Sequence, residues 1–162
     1  MMATNRYTFR KAAAADLGLL RKWQSRPHVR EWWDSDEPGN EEELADPRIV
    51  RWIVSTVGRP FAYMQDYTVH GWEDHHFFGL PEGSRGIDQF IGDPDMIGKG
   101  HGSAFITERL TTLYEESAPV VAVDPHPDNA RATAAYRRAG FAEFGPPRET
   151  RWGPILPMKV GR

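Results

Sequence analysis

The sequence predicts an α/β fold with a mixed central sheet, and three observations predict it. Runs that alternate every second residue, as strands do, are interleaved with runs of helical period. One run, APVVAVD (118–124), is apolar almost throughout, as in a strand buried on both faces of a sheet. The order of the runs is strand, two helices, a meander of three strands, helix, strand, helix and terminal strands, which is the alternation of an α/β domain.

YTFRKA (7–12) alternates as a short strand, and AAADLGLLRKWQSR (13–26) follows as a helix with Leu17, Leu20 and Trp23 on one face. Asp16 is placed to cap that helix or to sit in its first turn. Pro27 interrupts, and HVREWWD (28–34) reads as a second short helix ending in paired tryptophans. DSDEPGNEEELADP (34–47) is acidic and broken by Pro and Gly, so it reads as a surface loop or ragged helix. VRWIVSTV (50–57) and PFAYMQDYTV (60–69) form a hairpin turning at Gly58-Arg59. GWEDHHFFGLPEGS (71–84) is a loop mixing acids and aromatics, and RGIDQFIG (85–92) is an apolar strand with one carboxylate, Asp88. A helix runs from the glycines at 98–102 to about Glu116, and ARATAAYRRAGF (130–141) is a helix closed by Gly140. Beyond it, Pro146, Pro147, Gly153, Pro154 and Pro157 mark two terminal strands joined by a turn.

The length of 162 residues suits one domain, expected over 1–162, with enough chain to bury a core. A formal net charge of −3 argues against a nucleic-acid binder. The absence of cysteine excludes disulfides, thiolate zinc sites and a cysteine nucleophile. MMATNRYTFRK has no apolar stretch suited to a signal peptide, and no run approaches the roughly 20 apolar residues of a membrane helix. The expectation is a soluble cytoplasmic protein. The six histidines show no helical metal spacing, and adjacent side chains such as His75 and His76 diverge on a helix or a strand, so no metal site is expected.

MIGKGHGS (96–103) carries the first chemical signal. It puts Gly98, Gly100 and Gly102 at the mouth of the helix, where glycine is unfavourable by about 1 kcal/mol per interior position relative to alanine. A helix N-terminus offers unpaired N–H groups and the positive end of the dipole, and glycine lets a phosphate approach closely. The stretch reads either as an anion cradle, with Lys99 adding charge, or as a flexible turn. It is neither a P-loop nor a dinucleotide fingerprint, because the spacing is GxGxG.

RGIDQFIG, the GKGHG turn, a long helix, VVAVD, Asn129 and AAYRRAGF together resemble the GNAT acyltransferase superfamily. EWW (31–33), YMQDY (63–67), GIDQ (86–89), GKGHG (98–102), DPHPDN (124–129) and AAYRRAGF (134–141) occur in the order found in its aminoglycoside 6′-N-acetyltransferases. The chain resembles these enzymes over residues 7–160. The resemblance implies a splayed mixed sheet of about six to seven strands flanked by about four helices, with acetyl-CoA as the acyl donor. The family's glycine loop holds the coenzyme A pyrophosphate. Gly100 and Gly102 match its pattern, while Ile97 stands where Arg or Gln is usual. Phe90, Ile91, Ile97, Gly98, Lys99, Gly100, His101, Gly102, Ser103, Asn129, Ala132 and Tyr136 are the cofactor-binding positions this implies. Siderophore-lysine acyltransferases look similar but tend to carry His at the position of Asp88.

The implied chemistry is attack of a neutral primary amine on an acetyl thioester, without metal or covalent intermediate. Tyr136, a phenol of pKa near 10, would give its proton to the departing thiolate, whose thiol has a pKa near 8.5, or it is simply a packed aromatic. Asp88 would orient or deprotonate the amine, or it caps the turn after its strand. Asp124 would contact the acceptor, or its Asp-Pro step merely ends a strand. Asn129 resembles the residue that bonds the pantetheine arm and equally suits a helix N-cap. A backbone N–H near Phe90 would stabilise the oxyanion. Trp32, Trp33, Gln65, Tyr67, Trp72, Glu73 and Asp74, with Asp88 and Asp124, are candidates for a cleft that takes a small cationic amine. Two readings compete with the aminoglycoside-type enzyme: acylation of a siderophore-type lysine or another small amine, and a binding domain that keeps the cradle without turnover. Monomer and homodimer are both open.

Overall fold

Strands β1 (Thr8–Lys11), β2 (Ile49–Thr56), β3 (Arg59–Thr68), β4 (Arg85–Ile91), β5 (Val120–Val123), β6 (Ala142–Glu143) and β9 (Met158–Gly161) form one sheet in the computed structural model. The order is β1-β2-β3-β4-β5-β9-β6, and β7 (Arg148–Thr150) with β8 (Gly153–Ile155) forms a separate two-stranded hairpin. The helices are α1 (Leu17–Gln24), α2 (Pro27–Arg30), α3 (Glu41–Leu44), α4 (His101–Glu115) and α5 (Ala130–Arg138). The structure describes residues 5–33 and 35–161. Two compact units result, one made of the chain up to Gln65 with Gln89–His101, the other of Asp66–Asp88 with the chain from Gly102 onward; β3 and β4 run through both.

In the first unit β1 pairs antiparallel with β2, from Thr8 opposite Ser55 to Lys11 opposite Trp52. The β2–β3 hairpin turns at Val57-Gly58, one residue earlier than expected, and both residues have positive φ (50° and 75°). A two-residue turn with φ > 0 at both positions follows the twist of the flanking strands, which leaves Arg59 as the first residue of β3. The core gathers Leu20, Trp23, Val29, Ile53, Tyr63 and Phe90. Helix α1 is shorter than the predicted 13–26. Residues Ala14–Asp16 form a 3-10 turn instead, and the Asp16 carboxylate accepts from the Ala13 N–H (2.8 Å) and from both terminal nitrogens of Arg10. Helix α2 has Pro27 at its start and ends at Arg30, short of the predicted 28–34; the expected final residue, Asp34, lies outside the described residues. Within 34–47 one helical turn forms, α3, capped by Asn40 Oδ1, which accepts from the Glu43 N–H at 2.9 Å.

In the second unit β9 is antiparallel to both β5 and β6. β4 is parallel to β5 only at Arg85 opposite Val121 and Gly86 opposite Ala122. The two terminal strands expected from sequence are four short ones, because Pro146-Pro147 and Pro157 divide the tail into two separate pairings. Asp66, 1 % exposed, anchors this unit. Its Oδ1 accepts from Arg85 Nη2 at 2.6 Å, and its Oδ2 accepts from Arg109 Nε and Nη2 at 3.1 and 3.0 Å. The triad joins β3, β4 and α4 and satisfies a charge that would otherwise be buried at large cost. Alternation along β3 and β4 then sends the next residues, Tyr67 and Gly86, to the opposite face. There a Cβ on Gly86 would lie 2.1 Å from Tyr67 Cζ, so the phenol ring rests flat on the strand only because residue 86 has no side chain.

Removing one partner of a buried ion pair strands the other charge. Arg109→Met should therefore lower the unfolding free energy by about 3–5 kcal/mol in urea titrations, and the partly exposed Arg85 should cost less. Gly86→Ala should cost about 1–3 kcal/mol through overpacking, and Tyr67→Ala in the same chain should recover part of that loss.

Candidate active site

Asp88 and Asp124 leave β4 and the end of β5, and their side chains are hydrogen-bonded to each other. Two carboxylates in contact cannot both ionise freely. Burial raises the Asp124 pKa to about 6, with the Asp88 hydrogen bond acting in the opposite sense. Tyr67, 5 % exposed, has its phenol pKa pushed well above the usual value by burial and then by the charges of Asp124 and Asp88. Its ring touches Trp72 and His75, with centroids 5.8 and 5.3 Å away. The sequence-predicted Asp88, Asp124, Tyr67 and Trp72 thus belong to one neighbourhood.

Tyr136 influences the same phenol electrostatically and is itself 5 % exposed on α5. Its orientation comes from the end of its helix. Gly140, at φ 102°, donates its N–H to Arg137 O, and Phe141 donates to Tyr136 O, both at 3.0 Å. This is the paired closure in which a left-handed glycine ends a helix, and the expected apolar contact is present between the Phe141 and Tyr136 rings, 5.5 Å apart. At the other end of α5, Asn129 Oδ1 accepts from the Ala132 N–H at 3.2 Å, so the N-cap reading of Asn129 is realised. Ala132 is half-buried in that first turn.

Gly98 and Gly100 both have positive φ, 75° and 80°, and a Cβ on either would meet nothing within 4 Å. Conformation rather than crowding therefore demands glycine here, and the loop with exposed Lys99 leads into the N-terminus of the 15-residue α4. Gly102 and Ser103 lie half-buried in the first turn of that helix, and Ile97 is half-buried before it. The His101 ring is held inward: Nδ1 is hydrogen-bonded to Tyr7 Oη at 2.7 Å, and the ring packs 5.3 Å from Phe61. Burial, then Arg6 and Lys99, keeps its pKa low. A neutral ring so placed leaves the backbone of this loop, not the imidazole, to meet an anion. Phe90 is packed with Trp23, Trp33 and Tyr63, and Gly92 N–H donates to Phe61 O on β3. Alternation along β4 then turns the Phe90 amide toward β3 and those of Gln89 and half-buried Ile91 away from it.

The other cleft candidates separate. Trp32 is 39 % exposed, whereas Trp33 packs on Tyr63 and Phe90 at the edge of the first unit's core. Gln65 Oε1 accepts from Arg51 Nη1 (2.8 Å) and Tyr63 Oη (2.7 Å), so its amide oxygen is committed within the first unit. Glu73 is exposed, and Asp74 is committed to Arg151 at 2.7 Å.

Sequence reasoning missed His76. Its Nε2 lies 2.9 Å from Asp124 Oδ2, and its side chain is 3 % exposed. The expectation that His75 and His76 diverge is corrected: the rings stack with centroids 4.2 Å apart, because the segment is a turn rather than a helix or strand. Burial lowers both imidazoles to about 4. Trp152, 51 % exposed at the β7–β8 turn, covers both rings at 5.2 and 5.5 Å. The signal available was the density of aromatic and titratable residues in WEDHHFF. Among the described residues no cluster of His, Cys, Asp or Glu is arranged to hold a metal, and no helix is long and apolar enough to cross a membrane.

Residues 12–146 match the acetyltransferase (GNAT) domain family model. The aminoglycoside N(6′)-acetyltransferase type 1 of Klebsiella pneumoniae is 30% identical over 154 residues, covering 85% of this chain and 75% of that protein. A crystal structure of aminoglycoside acetyltransferase AAC(6′)-Ib with coenzyme A and kanamycin superposes at a TM-score of 0.85, with 30% identity over 96% of this chain and 95% of that one. The aminoglycoside N(6′)-acetyltransferase structure from Legionella pneumophila gives 0.79 at 26% identity, covering 99% and 94%. Fold, glycine loop, tyrosine helix and sequence likeness agree: the chain belongs to the GNAT acetyltransferase family, among the relatives of the aminoglycoside N(6′)-acetyltransferases.

Proposed function

We propose that this protein transfers an acetyl group from acetyl-CoA to a primary amine of an aminoglycoside-like, polycationic sugar. The observation that carries the reading is the hydrogen-bonded carboxylate pair, Asp88 and Asp124, in one neighbourhood with Tyr67 and Tyr136. Such a pair suits an ammonium ligand, and the relatives' names and bound ligands point to the same class of acceptor. Both units are read as parts of one acetyltransferase domain, since β3 and β4 contribute to each. Acetyl-CoA is a cytoplasmic metabolite, which supports a cytoplasmic site of action.

The residues present fit coenzyme A: an exposed loop with two left-handed glycines and a lysine opens the N-terminus of a long helix, a geometry suited to phosphate. Gly98, Lys99, Gly100, Gly102 and Ser103 would hold the pyrophosphate, and Asn129 and Ala132 would border the pantetheine arm. When bound, acetyl-CoA supplies a thioester carbonyl and a thiol leaving group. Asp88 and Asp124 hold the ammonium by charge. The raised pKa of Asp124 brings it closer to that of the amine than an ordinary carboxylate comes, so it is the better acceptor for the amine's proton. The Gln89 or Ile91 N–H, directed away from β3, would donate to the developing oxyanion, and Tyr136 Oη would give its proton to the departing sulfur.

The test is thiol release from acetyl-CoA with kanamycin, ribostamycin, lysine, N-hydroxylysine and spermidine. Turnover is expected with the aminoglycosides. Asp88→Asn should lower kcat/KM at least 100-fold, and Tyr136→Phe should lower kcat roughly 100-fold with little change in KM for acetyl-CoA. Because Asp124 must be ionised to hold the amine and its pKa is raised to about 6, kcat/KM for the acceptor should fall as pH drops through about 6. Turnover confined to lysine-type amines would move the protein to the siderophore-type reading. Tight acetyl-CoA binding with no turnover on any amine would make it a binding domain.

A further inference from the structure

His76 has no part in the reaction scheme above, yet it is the best buried polar side chain touching the acceptor carboxylates. Its imidazole is 3 % exposed, its Nε2 sits 2.9 Å from Asp124 Oδ2, and its Nδ1 is buried without a hydrogen-bond partner. That asymmetry assigns the tautomer. A proton on Nδ1 would be a buried donor lacking an acceptor, while a proton on Nε2 is donated to a carboxylate. The ring cannot swing away easily, because His75 stacks on one side at 4.2 Å and Phe77 and Trp152 contact it at 4.4 and 5.5 Å.

We propose that His76 is a positioning residue for the acceptor amine: its Nε2–H fixes Oδ2 of Asp124 and keeps that carboxylate ionised and aimed beside Asp88. The amine part of this statement rests on the acetyltransferase reading; the hydrogen bond does not. The charged and titratable neighbours are consistent with a neutral imidazole. From β7 Arg148, and from the hairpin turn Arg151, act with burial to disfavour the imidazolium, and Asp88 on β4 and ionised Asp124, 2.9 Å away, act the other way. His75 next to it is itself held neutral, with Arg151 lowering and Asp74 raising its pKa. On the Asp124 side the neighbours are Asp88, Tyr67 of β3 and, through Tyr67, Tyr136 of α5. With His76 neutral well below pH 6, it donates a hydrogen bond throughout the range in which Asp124 titrates.

The decisive measurement needs no turnover: the side-chain carboxyl 13C resonance of Asp124, assigned by its loss in Asp124→Asn, is followed against pH in the wild-type chain and in two variants. His76→Leu removes the donor and should move the Asp124 midpoint up by about one pH unit. His76→Gln places an amide N–H near the Nε2 position and should bring it back toward the wild-type value. In a chain active on kanamycin, the acidic limb of kcat/KM should move by the same amount in His76→Leu, with KM for acetyl-CoA unchanged. An unmoved midpoint in a folded His76→Leu chain overturns the proposal, as does an imidazole 15N spectrum of the wild type showing the proton on Nδ1. Should no amine be acetylated at all, the acetyltransferase reading fails, while the carboxyl titration still decides whether His76 holds Asp124.

Discussion

Asp66 carries its charge into a position only 1 % exposed, and Arg85 and Arg109 are what make that position tenable. Because the three residues come from β3, β4 and the third turn of α4, satisfying one carboxylate aligns three elements at once. A slip of one residue in either strand would leave the charge unpaired and would also turn every side chain to the wrong face. The alternation that points Asp66 toward α4 points Tyr67 away from it, and the same holds for Arg85 and Gly86. The ion triad and the Tyr67–Gly86 packing therefore occupy opposite faces of the same two hydrogen-bonded strands.

The reactive face is governed by desolvation. Burial raises Asp124 and Tyr67 and lowers His75 and His76, so the neutral form of each is favoured. On the proposed function, a cationic amine would meet there an Asp pair whose charge is little screened by solvent. The same burial lifts the proton affinity of Asp124 above that of an ordinary carboxylate and toward that of an amine. No unusual residue is needed for this; ordinary aspartates suffice once they are buried in the neighbourhood of Tyr67.

What could be read from the sequence was local. The glycines at 98 and 100 are conformational punctuation, and their positive φ angles follow from the residue type alone. Asn129 and Gly140 mark the two ends of α5 for equally local reasons, and Gly140 with Phe141 sets Tyr136 without help from distant residues. The hairpin was legible except for its turn, where Val57 adopts a φ that its side chain disfavours, 50°, so a residue-type argument favours the wrong pair. His76 and Asp124 are 48 residues apart and Asp74 and Arg151 are 77 apart, and no periodicity couples such positions. The stacking of two adjacent histidines likewise occurs in a turn that no periodicity marks, closed by His75 N–H to Trp72 O and Phe78 N–H to His75 O and flanked by Tyr67 and Trp152. Gln65 was readable as a polar residue on a strand, but not the commitment of its oxygen to Arg51 and Tyr63.

The β7–β8 hairpin pairs with itself and stands outside the seven-stranded sheet, yet its tip supplies Trp152 and Arg151 to the wall beside Asp124. Such an appendage can lengthen, shorten or exchange its tip without disturbing any ladder that sets the carboxylates, the tyrosine or the glycine loop. On the proposed function, acceptor preference and acetyl delivery would then be mechanically separable. A lineage could alter a handful of codons at one tip while the seven-stranded sheet stays as it is.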